Sequence, residues 1–302
     1  MKLATIKLHG TEQAAVVGER GPVPIETINR QEHVDFSSDL FELLTNNQLA
    51  ELKAWYDSGG KSRLSAMAAV PENAAEYAPP YRNPRKICGI AMNYAAKVGQ
   101  LRSMPPESEP VCFLKPATSL IGPGENIVLP PQSKRITAEA ELCIVIGATC
   151  KNISESDAPS FIAGFTPALD MTTQDIHAKN PRFLGKSKWF DTFFSFGPHL
   201  VTADEIDDLE SIVAETVLNG RVAHRDRVAN MIFHPWYIVS HLSHILTLLP
   251  GDIIVAGTPG SVVIRDGDVA ECRLSGFAPL VNPVSTQVDR KRSGGRYARF
   301  VI

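Results

Sequence analysis

The sequence predicts a protein of the α+β class that is predominantly β, with a small α+β unit at its amino terminus. From residue 111 onward, apolar segments of strand length alternate with turns that contain Gly or Pro. Helical periodicity is clear in two stretches, at about residues 39–58 and 235–249. With 302 residues and 44% hydrophobic side chains, the chain is long enough for one large domain with a smaller appendage, or for two domains.

The amino-terminal domain is predicted to span residues 1–70. Its first 30 residues alternate polar and apolar side chains in short runs, which are interrupted at Gly18 and at 21–24. Residues 71–85 contain four prolines. Because proline blocks regular pairing and stiffens the chain, this stretch is the predicted linker to the second domain.

A helix is predicted to follow the amino-terminal strands. Asp39 and Glu42 resemble a capping box at its start, and Gly59 and Gly60 supply a stop. Its apolar stripe consists of Leu40, Phe41, Leu43, Leu44, Leu49, Leu52 and Trp55. The spacing of these residues predicts one helix that packs against the strands.

The second half of the chain is predicted to be rich in strands. These lie at 86–94, 111–114, 126–129, 141–146, 199–201, 212–218, 253–256, 262–264 and 269–274. Asn219 and Gly220 predict a tight hairpin, because a type I′ turn requires positive φ at both central residues. A helix is predicted over 235–249, with Pro235 in its first turn. The polar segment 95–110 is either a lid over a site or a surface loop.

Composition excludes several classes of partner. The formal net charge of −3 offers no electrostatic reason to expect nucleic acid or an anionic membrane surface. The first residues lack the apolar run of a signal peptide, and no segment has the length of a membrane span. The five cysteines are scattered without a Cys-x-x-Cys pair. We therefore expect free, buried thiols and a cytoplasmic location.

Two carboxylates one residue apart open an apolar strand at 137–147. Side chains at positions i and i+2 of a strand share a face, so Glu139 and Glu141 point the same way. Two like charges held this close require a proton or a cation between them. A hard divalent ion, Mg²⁺, Mn²⁺ or Ca²⁺, is the simplest solution, and Asp170 is the best candidate for a third ligand. The alternative is that both glutamates line the solvated face of an edge strand.

The order of the motifs resembles that of the fumarylacetoacetate hydrolase superfamily over residues 86–284. The matching segments are 88–94, 113–116, 119–124, 127–130, Glu139-x-Glu141, Asp170, 188–193, 197–198, 218–220, 250–252 and 257–259. The resemblance implies a catalytic domain over 86–284, built as a roll of mixed β-sheets around the metal, and a homodimer. It also implies a small carboxylic acid as substrate, either a 2-oxo acid or a 1,3-dicarbonyl acid. Residues 285–302 are left as a basic tail.

The resemblance also assigns roles to individual residues. Lys188 stands where the family has its active-site lysine, and Lys186 is the alternative. Thr258 resembles the threonine that binds the polar end of the substrate. Gln174 and Asn93 are assigned to substrate binding with it.

Some positions depart from the family pattern. Members that activate water commonly carry a His and a Glu in the segment after Asn-Tyr, where this chain has Lys97 and Gln100. Gln cannot accept a proton, and Lys does so only when its pKa is lowered substantially. Lys97 or His177 is therefore the predicted catalytic base, with a structural role as the alternative for His177.

Three functions follow from these observations. The leading hypothesis is a metal-dependent hydrolase that cleaves a C–C bond through a stabilised enolate. The missing His and Glu favour, as an alternative, a tautomerase or decarboxylase of a compound such as oxaloacetate. A protein that binds metal and ligand without catalysis is the third possibility.

Overall fold

The computed structural model describes residues 1–94 and 109–286. Its strands are β1 Lys2–Leu8, β2 Thr11–Gly18, β3 Gly21–Pro24, β4 Tyr77–Ala78, β5 Ile87–Ala91, β6 Val111–Lys115, β7 Leu120–Ile121, β8 Ile127–Val128, β9 Ile136–Ile146, β10 Ile162–Thr173, β11 Phe194–Phe196, β12 His199–Thr202, β13 Val213–Leu218, β14 Arg221–Arg227, β15 Ile253–Val255, β16 Ser261–Ile264, β17 Val269–Leu274 and β18 Leu280–Ser285. Its α-helices are α1 Ile25–Glu32, α2 Leu40–Thr45, α3 Gln48–Trp55, α4 Lys61–Leu64, α5 Gln174–Lys179, α6 Leu184–Lys188 and α7 Pro235–Ile245. The predicted α+β class, predominantly β, is confirmed.

Two long antiparallel strands, β9 and β10, form the centre of the larger sheet. Every residue of both strands is buried, because elements pack on both faces of the sheet. Among the described residues this sheet has 13 strands, and its main path runs β3-β2-β1-β12-β10-β9-β15-β5-β6. The pairing register places Glu139 of β9 opposite Asp170 of β10.

Alternate residues of β9 contact two different cores. Ile144 belongs to the core that the smaller sheet, β14-β13-β17-β18-β8, and helix α7 complete on one face. Cys143 and Val145 belong to the core that the amino-terminal helices complete on the other face. Glu139 and Glu141 alternate along β9 with the same period of two residues as Cys143 and Val145, so they lie on the same face, away from the smaller sheet.

The amino-terminal strands extend the larger sheet. Strand β1 pairs antiparallel with β12, where Leu3 lies opposite Leu200, and it also pairs with β2 and β4. The sheet is therefore continuous between the predicted domains. The boundaries at 70 and 85 stay predictions, and residues 287–302 of the predicted tail lie outside the described residues.

The helix predicted after Asp39 is wrong in its extent. The Asp39 half of the predicted capping box is confirmed, because the Asp39 carboxylate accepts hydrogen bonds from backbone N–H groups of the first turn at 2.7 and 3.1 Å. The Asp39 N–H donates to the Ser37 hydroxyl at 3.1 Å, and that hydroxyl donates to the Glu42 carboxylate. The helix is then interrupted at Asn47, whose φ of +60° separates α2 from α3. The predicted stop is confirmed at Gly59, whose φ of +107° breaks the helical path before α4 begins at Lys61. The apolar spacing persists across Asn47, which is why it did not reveal this interruption.

The predicted strands of the second half are present, with shifted ends. Asn219 and Gly220, with φ of +51° and +75°, join β13 to β14 as the predicted hairpin. Helix α7 begins at Pro235 as predicted and ends at Ile245 instead of 249. In the part of the chain that the structure describes, no helix is both long enough and apolar enough to span a membrane.

Strand β10 was not predicted, although it carries Asp170. Pro167 lies in its middle, and proline has no N–H group to donate to a neighbouring strand. The structure accommodates this residue opposite Leu142, and the Pro167 carbonyl accepts a hydrogen bond from the Gly197 N–H at 3.1 Å. A proline inside a run thus concealed a central strand.

Candidate metal centre

Three acidic side chains converge where β9 and β10 pair. Glu139, Glu141 and Asp170 are 3%, 2% and 0% exposed, respectively. One carboxylate oxygen of each lies within 4.8 Å of those of the other two. The expected convergence is therefore observed. The alternative that Glu139 and Glu141 line a solvated edge-strand face is wrong, because β9 is central and buried.

Two lysine side chains neutralise part of this charge. The Lys188 Nζ lies 3.1 Å from the Glu139 Oε2 and also contacts the Asp170 Oδ2. The Lys115 Nζ lies 2.6 Å from the Asp170 Oδ1 and 3.4 Å from the Met171 carbonyl oxygen. Asp170 is thus paired with one ammonium group on each of its oxygens.

Burial and mutual charge shift the pKa values of the cluster. Burial raises the pKa of Glu141 to about 8, and the neighbouring Asp170 and Glu139 add to this rise. Burial lowers the pKa of Lys115 to about 8, and Lys188 contributes while Asp170 opposes. Burial also acts to lower the pKa of Lys188, but Asp170, Glu139 and Glu141 outweigh it and raise that pKa. The carboxylates therefore attract cations strongly.

The donor set fits a divalent cation. The three carboxylates supply only oxygen, which hard ions such as Mg²⁺, Mn²⁺ and Ca²⁺ prefer. With every group ionised, these three carboxylates exceed the ammonium groups of Lys115 and Lys188 by one negative charge. An unbalanced buried charge is costly, so a cation among the carboxylates would stabilise the site.

Lys115 is a site residue that sequence reasoning missed. It lies on β6, where Cys112 and the 52%-exposed Leu114 face outward while Phe113 and the 4%-exposed Lys115 face inward. The signal was present, because residues 113 and 115 share one face of a strand. Hydrophobicity alone favours the opposite assignment, because Leu114 is apolar and Lys115 is charged.

The ammonium group of Lys188 is also bounded by an aromatic ring. The centroid of Phe113 lies 4.6 Å from the Lys188 Nζ, within the range of a cation–π interaction. A Cβ atom on Gly89 would lie 2.1 Å from this ring, so glycine makes room for it. Lys186, the alternative to Lys188, is exposed and lies over Phe183 instead.

Thr258 lies on a buried loop that is anchored to the cluster. The Gly257 N–H donates to the Glu141 Oε2 at 2.7 Å. The Asn93 amide holds the same loop, since it donates to the carbonyl oxygens of Ala256 and Phe233 at 2.7 and 2.9 Å and accepts from the Phe233 N–H. These bonds use both donors of the Asn93 side chain. Its assignment to substrate binding stays a prediction, and its observed partners are loop backbone.

Of the remaining predicted site residues, Gln174 and His177 lie at the edge of the cluster. The Gln174 side chain donates to the Thr137 hydroxyl at 3.2 Å at the start of α5. His177 is half-buried, and burial together with the charge of Lys188 lowers its pKa, while Glu139 opposes. Lys97 lies outside the described residues, so its predicted role remains a prediction.

Two surface cavities in the described part of the chain do not mark this site. Cavities of about 240 and 350 Å³ lie beside Tyr81 and beside Phe277, and no residue of the carboxylate cluster lines either one. The cluster is identified instead by buried charge, which proteins tolerate only where it is paired or binds an ion.

Comparisons with known proteins agree with this picture. Residues 86–285 match the family described as fumarylacetoacetate (FAA) hydrolase C-terminal. A mitochondrial oxaloacetate tautomerase of Bos taurus is 33% identical over 233 residues, which cover 74% of this chain and 74% of that protein. An uncharacterized protein of Archaeoglobus fulgidus is 37% identical over 223 residues, which cover 74% of this chain and 86% of the other. The structure of 5-carboxymethyl-2-hydroxymuconate delta-isomerase from Mycobacterium smegmatis has a TM-score of 0.73 and 27% identity, and covers 96% of this chain and 100% of its own.

Proposed function

This chain belongs to the fumarylacetoacetate hydrolase family, and we propose that it is a divalent-metal-dependent enzyme that shifts a proton in a small 2-oxo acid through its enolate. Tautomerisation of oxaloacetate is the first candidate reaction. The observation that carries this proposal is the buried cluster of Glu139, Glu141 and Asp170, with two ammonium groups beside it.

Each residue of the cluster has a distinct role in this proposal. The three carboxylates would hold the ion, for which Mg²⁺ is the first candidate and Mn²⁺ or Ca²⁺ the alternatives. When bound, the ion supplies Lewis-acid stabilisation of the negative charge that develops on the keto oxygen. The Lys188 ammonium donates to that oxygen or to the substrate carboxylate. The Thr258 hydroxyl binds the other polar end of the substrate.

Charge favours an anionic substrate. With every group ionised, a divalent ion would change the net charge of the three carboxylates and two lysines from −1 to +1, which favours a carboxylic acid that enters as its anion. Preorganised positive charge in a buried site also stabilises an enolate more strongly than water does. The net positive charge of the site with its ion gives no comparable attraction for neutral carbonyl compounds.

Tautomerisation requires proton transfer but no nucleophile. The enol O–H bond breaks, the C=C electron pair forms a C–H bond at the neighbouring carbon, and the keto C=O results. His177 is the candidate to carry the proton, because its lowered pKa keeps its imidazole neutral near pH 7. Lys97 is the alternative. The oxaloacetate tautomerase and the delta-isomerase among the similar proteins, both named for proton shifts, support this class of reaction.

C–C bond hydrolysis is the second candidate. It needs a base that activates water, and Lys97 and Gln100 replace the His and Glu that the family resemblance leads one to expect. His177, near Lys188 and Glu139, is the residue that favours this reaction, because a neutral imidazole can deprotonate water.

A homodimer, expected from the same resemblance, is part of the proposal. The mass of the protein in solution, measured by light scattering, tests it.

The assay separates these reactions. Protein loaded with Mg²⁺ is mixed with freshly dissolved enol oxaloacetate, and enol absorbance and carbon dioxide are followed together. We expect rapid loss of enol without carbon dioxide; release of carbon dioxide would indicate decarboxylation. Two acids released from an acylpyruvate would indicate hydrolysis. If the wild-type protein reacts no faster than the Glu141→Gln variant with either Mg²⁺ or Mn²⁺, the proposal of an enzyme is refuted. A protein that binds metal and ligand without catalysis then remains.

A further inference from the structure

We propose that Thr216 is a positioning residue that frees the Thr258 hydroxyl to donate to the bound substrate, an inference that rests on the proposed function. Thr216 lies on β13 of the smaller sheet and is 0% exposed. It therefore reaches the site from the face of β9 opposite the carboxylates.

One hydroxyl group links the carboxylate strand to the threonine loop. The Thr216 Oγ1 accepts a hydrogen bond from the Ala140 N–H at 3.2 Å and donates to the Gly260 carbonyl oxygen at 2.8 Å. Ala140 lies between the two glutamates of β9. The position of the loop is thus tied to the strand that presents the carboxylates.

The Gly260 carbonyl oxygen has a second donor. The Thr258 Oγ1 donates to it at 3.0 Å and accepts from the Gly260 N–H at 3.2 Å. A carbonyl oxygen has two lone pairs, so both threonines are accommodated. Gly260 is buried, and a buried carbonyl without a donor is costly.

The two hydroxyl donors to the Gly260 carbonyl oxygen determine the free energy needed to turn the Thr258 hydroxyl toward a substrate. When the Thr258 O–H rotates toward a substrate, it leaves the Gly260 oxygen. Because Thr216 still donates to that oxygen, no buried group is left without a partner. Without Thr216, the same rotation would strip the carbonyl of both donors, so Thr258 would stay turned away from the substrate.

The test measures binding of oxalate, an analogue of a 2-oxo acid enolate, to the Mg²⁺-loaded protein by calorimetry. Thr216→Val keeps the shape of the side chain and removes its hydroxyl, and Thr216→Ser keeps the hydroxyl. We expect Thr216→Val to weaken oxalate binding by roughly tenfold and Thr216→Ser to stay within about threefold of wild type. The Kd for Mg²⁺ alone should change by less than about threefold in both, since no carboxylate is touched. Thr216→Ala replaces the Val variant if the latter does not fold.

A double variant separates positioning from general destabilisation. If Thr216 acts through Thr258, oxalate binding by Thr216→Val with Thr258→Val equals that of Thr258→Val alone. Losses that multiply in the double variant would overturn the inference, as would wild-type affinity in Thr216→Val. If wild-type protein with Mg²⁺ binds no oxalate, the proposed function fails and this inference fails with it. If the wild-type protein binds oxalate and the Thr216 variants bind it equally well, only the inference about Thr216 is overturned, and the proposed function stands.

Discussion

The ammonium group of Lys115 lies 2.6 Å from Oδ1 of Asp170, and both side chains are completely excluded from solvent. The other oxygen of Asp170 contacts Lys188, which also reaches Glu139. Lys115 therefore pairs with one carboxylate, whereas Lys188 bridges two. We expect Lys115 to remain the partner of Asp170 when a cation binds, and Lys188 to be the group that adjusts.

Replacing Lys115 by Met should make stability depend on metal. With EDTA the buried Asp170 loses a partner, and the free energy of unfolding should fall by about 3 kcal/mol. Saturating Mg²⁺ should recover part of this loss, because the added negative charge strengthens cation binding. Urea unfolding with EDTA and with Mg²⁺ measures both values.

Lys86→Met is the matched control for this prediction. It breaks a 2.6 Å pair with the buried Asp252, away from the carboxylate cluster. Mg²⁺ should recover none of its loss. A Lys115→Met variant that loses the same free energy with and without Mg²⁺ would contradict the placement of a cation beside Asp170.

Glu141→Gln should weaken metal binding without unfolding the protein. The amide keeps the volume and still accepts the hydrogen bond from the Gly257 N–H. We expect the Kd for Mn²⁺ to rise by more than about 100-fold, since a ligand matters more than the groups that orient ligands. Calorimetric titration measures it. Glu271→Gln, which makes the same charge change beside Arg273 in the smaller sheet, should leave the Kd unchanged, and equal affinities for both variants would refute the assigned site.

The two neighbouring lysines of α6 should differ in their effect on turnover. Lys188→Met removes the ammonium that bridges two carboxylates, and kcat/KM for enol oxaloacetate should fall by about 100-fold or more. Lys186→Met alters an exposed side chain and should change kcat/KM by less than about threefold. Steady-state kinetics at saturating Mg²⁺ compare the two, and similar losses in both variants would argue against the role of Lys188.

His199 should make the protein lose stability in acid. It is 7% exposed on β12 and packs edge-on against Tyr77, and burial lowers its pKa to about 4, with a smaller contribution from Lys2 and an opposing one from Glu72. In the unfolded chain the pKa returns to 6.5. Between these values the unfolded chain binds more protons, so the free energy of unfolding falls as the pH drops below 6.5. The loss attributable to His199 reaches at most about 3 kcal/mol near pH 4.

His199→Phe keeps the aromatic contact with Tyr77 and removes the titrating group. Its free energy of unfolding should decline less steeply than that of wild type between pH 6.5 and 4.5, and both should run parallel above pH 7. Urea unfolding at a series of pH values measures the slopes. Identical slopes below pH 6.5 would show that His199 is not held neutral by burial.

Local patterns in the sequence were sufficient for several features. The alternation of a strand places Glu139 and Glu141 on one face whatever the strand pairs with. The positive φ that a type I′ turn requires selects Asn219 and Gly220, and a side-chain oxygen at Asp39 caps a helix. Each depends on residues a few positions apart, so the sequence by itself determined it.

Features that depend on distant segments were decided by the tertiary structure. The register of β9 and β10 sets Glu139 opposite Asp170, and burial of one face of β6, the last strand on the path of the larger sheet, turns its lysine into a partner for that aspartate. The smaller sheet places Thr216 against both Ala140 and Gly260. Hydrophobic periodicity and strand propensity predict which side chains share a face of a strand. They do not predict which face is buried or what packs against it, because that depends on pairing between strands far apart in the chain.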